Sequence, residues 1–169
     1  MSENAYRIAV LTKYVPDTQF EQKLDDTLRV DRSESVMSEL DEYAVESAMQ
    51  IVEAEDTDAA NSAVIAFTLG AADASKGLRR ALQLGAHEGV HILDDAFAGA
   101  DALATSRIIA AALSTYEQEH GTFDLILTGM ASTEGETSLV PVQVSELLGR
   151  TGISQVASLS VEGRTVRAR

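Results

Sequence analysis

Ala63-Val64-Ile65-Ala66-Phe67-Thr68-Leu69-Gly70 is a continuous apolar run closed by a glycine. Such a run predicts a β-strand covered on both faces, because a strand with one wet face would alternate apolar and polar residues. Helix signals flank it. Upstream, Ser38-Glu39-Leu40-Asp41 has the S-x-x-D form of a helix start, with Glu39, Asp41 and Glu42 in the first turn where the helix dipole favours acids. Leu40, Ala44, Ala48, Ile51 and Val52 then make one apolar helical face. Downstream, Asp73 is positioned to cap a helix carrying Leu78, Ala81 and Leu82, and Gly85 stops it.

The same alternation extends in both directions. Ile8 to Val15 is a first strand closed by Pro16-Asp17. Asp17 to Met37 is polar, and two readings are open. Thr27 to Val30 and Ser33 to Val36 pair as a small hairpin, or the segment is a solvated loop. Gly89 to Leu93 reads as a buried strand and Asp101 to Glu119 as an alanine-rich helix ending at His120-Gly121. Phe123 to Thr128 reads as the next strand and Ser138 to Gly149 as the last helix. Gln155 to Val161 and Thr165 to Arg169 read as a terminal hairpin turning at Glu162-Gly163. Strands alternating with helices imply an α/β domain, a doubly wound, Rossmann-like, mostly parallel sheet. No repeat or linker divides residues 1–169, so a single domain is expected.

Composition narrows the chemistry. There is no cysteine, which removes disulfides, thiolate metal sites and cysteine nucleophiles. A formal net charge of -14 repels nucleic acid and anionic lipid. A small phosphate is different, since N–H groups at a helix start hold one without any basic side chain. The polar stretch from Met1 to Arg7 is not a signal peptide, and no apolar run predicts membrane insertion, so a cytoplasmic protein is expected. His87 and His91 flank a strand without further ligands, and with His120 they read as surface or satisfied-core histidines. No nucleophile elbow or acid–base set is present.

Ligands of such sheets bind beyond the carboxyl ends of the strands, where strand order reverses. Thr12 to Pro16, Leu69 to Ala72 and the stretch from Gly129 end there. The last reads Gly129-Met130-Ala131-Ser132-Thr133-Glu134-Gly135-Glu136-Thr137-Ser138 before a helix. Its glycines permit close backbone approach, its hydroxyls offer hydrogen bonds, and Ser138 is the expected cap with Pro141 in the first turn. It is either an anion site or an ordinary serine-capped loop. It matches neither the Walker loop nor the dinucleotide glycine fingerprint.

Several segments carry a joint resemblance. Met37-Ser38-Glu39-Leu40-Asp41-Glu42-Tyr43-Ala44-Val45-Glu46-Ser47-Ala48 resembles "NPFDEFAVEEA" of electron-transfer flavoprotein beta subunits. Leu78-Arg79-Arg80-Ala81-Leu82-Gln83-Leu84-Gly85-Ala86 followed by Val90-His91-Ile92 is similar to "LRTALAMGAD…IHV" of that family. Thr12-Lys13-Tyr14-Val15-Pro16-Asp17 resembles "VKRVPD", Asp124 to Gly129 resembles "DLVLLG", and Leu147-Leu148-Gly149 stands at "xLLG". These stretches fall in order over nearly the whole chain.

The resemblance implies a sheet of the adenine-nucleotide alpha-hydrolase type with a C-terminal β-hairpin. It implies an electron carrier subunit rather than a catalyst. The implied partner is an alpha subunit, in a heterodimer whose FAD sits mainly on the alpha subunit. Flavin dehydrogenases and a quinone oxidoreductase are implied as redox partners of the complex. It implies AMP, or a second FAD, on the chain itself, held by Leu11, Ser38, Glu39, Leu40, Leu69, Gly129, Met130, Ala131, Ser132, Thr133, Gly135, Thr137, Ser138, Leu139 and Val140. Where the family reads "GKQAIDDDxxQTG", this sequence ends in Leu139-Val140-Pro141, which removes a glycine and two polar contacts. Family members also continue past Arg169, which implies a truncated form or a short variant. The alternative is a stand-alone adenine-nucleotide-binding regulatory module similar to universal stress proteins. That family's G-x-x-G pattern is broken here by Ser132.

Overall fold

The computed structural model describes residues 4–26 and 28–169. β1 (Arg7–Thr12), β4 (Ala63–Leu69), β5 (Glu88–Ile92) and β6 (Leu125–Thr128) form one parallel sheet in the order β5-β4-β1-β6. The chain steps outward from β1 to β4 and β5, then returns to the other side of β1 as β6. Strand order therefore reverses between β1 and β6.

Side-chain alternation sorts the core into two layers. Ile8 and Val10 of β1, with Val64 and Ala66 of β4, face α1 (Glu39–Val52) and α2 (Ser75–Gln83) through Val45, Ala48, Leu78 and Ala81. Ala9, Leu11, Ile65 and Phe67 face the opposite way. They pack with Ile109 and Leu113 of α3 (Ala102–His120) and Val144 of α4 (Val140–Leu147). Both faces of β1 and β4 are covered, as their continuous apolar runs predict. Phe67 lies edge-on to Tyr116 and Phe123 at 5.4 and 5.7 Å between centroids, a geometry that adds about 1 kcal/mol per pair beyond burial. β7 (Leu159–Glu162) and β8 (Thr165–Ala168) form an antiparallel hairpin whose Leu159 and Val161 rest on the α1 layer. The α/β, doubly wound reading holds, with the terminal hairpin outside the main sheet.

Several local expectations are corrected. The first strand is not continuous from Ile8 to Val15. It leaves the sheet at Lys13, and β2 (Tyr14–Pro16) pairs antiparallel with β3 (Ser35–Met37). The break has a cause: the Lys13 N–H donates to Asp41 Oδ2 at 2.7 Å instead of to a neighbouring strand. The proposed partner of Ser33 to Val36 is therefore wrong, and Val30 instead bridges Leu24. Thr27 lies outside the described residues. Asp73 does not cap α2. It sits in a 3-10 turn (Ala72–Ala74), and Ala74 holds the cap position without a side-chain bond. Asp101 does cap α3, its Oδ1 accepting from Ala104 N at 2.8 Å. The terminal hairpin begins at Leu159 rather than Gln155 and turns at Gly163-Arg164. No helix among the described residues is long and apolar enough to cross a membrane.

Candidate functional site

The crevice between the carboxyl ends of β1 and β6 is built by three backbones. Leu11 pairs with Thr128 across the two strands, so the carboxyl ends of β1 and β6 lie side by side. On the opposite flank of β1, Thr12 Oγ1 donates to Phe67 O at 3.2 Å and Thr68 Oγ1 donates to Thr12 O at 2.9 Å, which locks the ends of β1 and β4. The first turn of α1 closes the crevice from beside β1.

That turn is not the capping box its S-x-x-D pattern suggests. The Ser38 N–H donates to Lys13 O at 2.9 Å, and the Asp41 carboxyl turns away from Ser38. It accepts instead from the N–H groups of Lys13 and Gly129. One carboxyl thus ties the exits of both central strands. Asp41 is 6% exposed, and burial pushes its pKa up to about 7 against the opposing pull of the two N–H groups and the Lys13 charge. The Ser38 hydroxyl, released from capping, is fully buried and has no hydrogen-bond partner. A buried hydroxyl without a partner costs about 1–3 kcal/mol. Gly129 is required where it stands: a Cβ there would collide with Asp41 Oδ1 and sit 3.0 Å from the Leu40 carbonyl.

The loop from Gly129 to Leu139 leads to α4. Ser138 does not cap that helix. It has a φ of +52°, Leu139 takes the cap position, and Val140 opens the helix. The expected serine cap fails because the residue sits in the left-handed region, where its side chain is not aimed at the first turn. Glu136 (φ +43°) and Gly135 (φ +82°) share this conformation. In the first turn of α4, the N–H groups of Val140 and Val142 have no intrahelical carbonyl to bond, and Pro141 has no N–H.

The expected binding residues are therefore distributed unevenly. Leu11, Ser38, Glu39, Leu40 and Gly129 converge at the crevice. Met130, Ala131, Ser132, Thr133, Gly135, Thr137, Ser138, Leu139 and Val140 run along its outer edge. Leu69 ends β4 on the far side of β1, paired with Ile92. Three further residues shape the site: Asp41, which the sequence offered only as part of a helix start, Lys13, which it offered only within a family-like stretch, and Arg32, which carries no sequence signal. Lys13 Nζ reaches Ser132 Oγ at 3.3 Å and the Glu134 carbonyl at 3.2 Å. Arg32 pairs with Glu134 Oε1.

The histidines behave as structural residues. His87 Nδ1 accepts from Val64 N at 3.0 Å, His91 Nε2 lies 3.0 Å from Gly70 O, and His120 stacks on Tyr116. No metal-holding group of acids and histidines occurs among the described residues.

Residues 27–169 match the electron transfer flavoprotein domain model. The chain is 40% identical over 159 residues to the electron transfer flavoprotein subunit beta of Mycobacterium leprae, covering 92% of this chain and 58% of that protein. It is 33% identical to the subunit of the same name from Clostridium acetobutylicum, covering 96% and 60% respectively. It is 32% identical to the caffeyl-CoA reductase-Etf complex subunit CarD of Acetobacterium woodii, covering 94% and 58%. The chain thus spans somewhat under two thirds of the length of these relatives. The domain match extends from the Asp17–Glu34 excursion through α1, the crevice and the terminal hairpin, and on that ground the chain belongs to the electron transfer flavoprotein family.

Proposed function

We propose that this chain works as the beta subunit of an electron transfer flavoprotein and binds an adenine nucleotide, AMP in the simplest case, at the β1–β6 crevice. The observation that carries the nucleotide reading is the Ser38 hydroxyl, buried at the crevice without a partner. A ribose or phosphate oxygen supplies what it lacks once the first turn of α1 gives way, because the hydroxyl has no exposed surface in the free chain. Two further features fit an adenylate. Gly129 lets the end of β6 close against Asp41 and the Leu40 carbonyl, which fixes the crevice wall, and the free N–H groups of Val140 and Val142 face the loop end with the positive end of the α4 dipole. The Glu134 carboxylate is neutralised by Lys13 and Arg32, so it does not repel an incoming phosphate.

In this reading the chain is an electron carrier component and not a catalyst. FAD, bound mainly by an alpha subunit, supplies the redox chemistry when present. Flavin dehydrogenases donate to the complex and a quinone oxidoreductase accepts from it, in the cytoplasm. Residues of this chain bind and orient the adenylate and brace the crevice.

The test is to purify the full-length protein with its alpha subunit, record flavin absorbance, and identify released nucleotide by mass spectrometry. One flavin per heterodimer and one adenine nucleotide are expected. A stable, flavin-free protein that ignores the alpha subunit would sink the assignment. Ser138→Asp places a negative charge beside the proposed phosphate and should lower nucleotide retention; unchanged retention removes the phosphate from that position.

A further inference from the structure

Two cations from separate segments converge on one carboxylate at the mouth of the crevice. Lys13 follows β1 directly. Arg32 lies near the end of the Asp17–Glu34 excursion, where its Nη1 is tethered to Tyr14 O at 3.4 Å. Lys13 Nζ stands 3.2 Å from Glu134 Oε2, and Arg32 Nη2 contacts Glu134 Oε1. In a chain with 13 basic and 27 acidic residues, such convergence of positive charge is not an average of the surface.

The pair does not satisfy Glu134 completely. Its Oε2 is buried and at ion-pair distance from Lys13 Nζ, but it lacks hydrogen-bond geometry. The chain bends through the left-handed residues Gly135, Glu136 and Ser138 directly after it. Beside the carboxylate, on the side away from Lys13 and Arg32, a groove of about 270 Å³ runs under the 17–34 segment, bounded by Pro16, Gln22, Lys23, Leu24, Thr133 and Glu134 itself.

We propose that Lys13 and Arg32 form an anion subsite for a second phosphate group, and that Glu134 fills this subsite in the free chain. The identity of the rest of the ligand rests on the nucleotide reading above. A carboxylate and a phosphate compete for the same cations because both accept charge-assisted hydrogen bonds, and a guanidinium fits either one. With Glu134 seated, a nucleoside monophosphate meets no added charge, whereas the outer phosphate of a diphosphate meets an occupied subsite. Glu134 is thereby the residue that sets monophosphate against diphosphate.

The experiment measures binding of inorganic pyrophosphate, ADP and AMP by calorimetry. It uses the full-length protein with any co-purifying subunit, stripped of bound nucleotide. Glu134→Gln should bind pyrophosphate and ADP roughly tenfold tighter than the parent while AMP changes by less than about twofold. Adding Lys13→Gln or Arg32→Gln to Glu134→Gln should remove the gain. Equal pyrophosphate affinity in parent and Glu134→Gln overturns the subsite, as does a gain that survives loss of both cations. A pyrophosphate gain without AMP binding in the parent supports the subsite and removes the nucleotide reading instead.

Discussion

Replacing Asp41 by asparagine tests the tie between the two central strands. The carboxyl is almost fully buried, and its pKa is raised from 3.8 to about 7, chiefly by burial. The folded protein therefore holds this proton more tightly than the unfolded chain does. The sign follows: the stability associated with the group is fully present below pH 3.8 and is lost as pH rises through about 7. Over that span the loss is roughly 4 kcal/mol, of the order of a third or more of a small domain's total stability. Asparagine does not ionise, so it removes the slope. Its amide nitrogen faces one of the two N–H donors, which costs about 1–3 kcal/mol at all pH values. Urea unfolding of parent and Asp41→Asn between about pH 4.5 and about pH 8 should show the variant less stable at the acid end. The gap should close, or reverse, at the alkaline end. A difference that is constant with pH, or that widens as pH rises, refutes the buried-carboxyl account. Subtracting variant from parent matters because other carboxylates titrate in the same range.

Three other perturbations have defined outcomes. Gly129→Ala forces a Cβ against Asp41 and the Leu40 carbonyl and should cost about 2–4 kcal/mol in chemical denaturation, with nucleotide retention falling in parallel; a neutral result would mean the crevice wall is free to move. Leu113→Ala empties a fully buried position between α3 and the sheet and should cost about 2–5 kcal/mol without altering the parent's nucleotide preference, as read by thermal unfolding and mass spectrometry. The Arg80–Glu42 pair, at 2.8 Å but half exposed, should show a coupling of less than about 1 kcal/mol in a double-mutant cycle at moderate salt; a larger coupling would contradict its solvent screening.

The sheet was legible because its decisive information is local. Ala63–Leu69 is apolar at nearly every position, which only a strand covered on both faces requires, and β4 sits inside the sheet accordingly. Helix ends were read less well, because a cap is a geometry and the residue type alone does not fix it. Ser38 and Asp41 match a capping box in sequence, yet Lys13 and Gly129 draw the carboxyl away. Those partners lie 28 residues before Asp41 and far beyond it along the chain, outside any local window. Ser138 failed as a cap for a related reason: nothing in its identity announces a positive φ. Lys13 and Glu134 meet across 121 residues, so their pairing follows from the switch in strand order and from no motif. The sheet rule pointed to the strand ends at Thr12 and Gly129, because a doubly wound sheet places those ends predictably, whereas Leu11 and Ser38 to Leu40 came from the family resemblance alone.

Lys13 is held twice, in two independent currencies of the chain. Its peptide N–H and C=O are committed to Asp41 and Ser38, and its side chain is committed to Ser132 and Glu134. Every amino acid except proline offers the same peptide groups, so the hydrogen bonds of the brace do not depend on the side chain there, which acts on Asp41 only through its charge. Evolution can therefore rewrite the charge at the crevice mouth at this position while the architecture beneath it stays fixed. The fold separates the part that must be kept from the part that is open to new ligands at the level of a single residue.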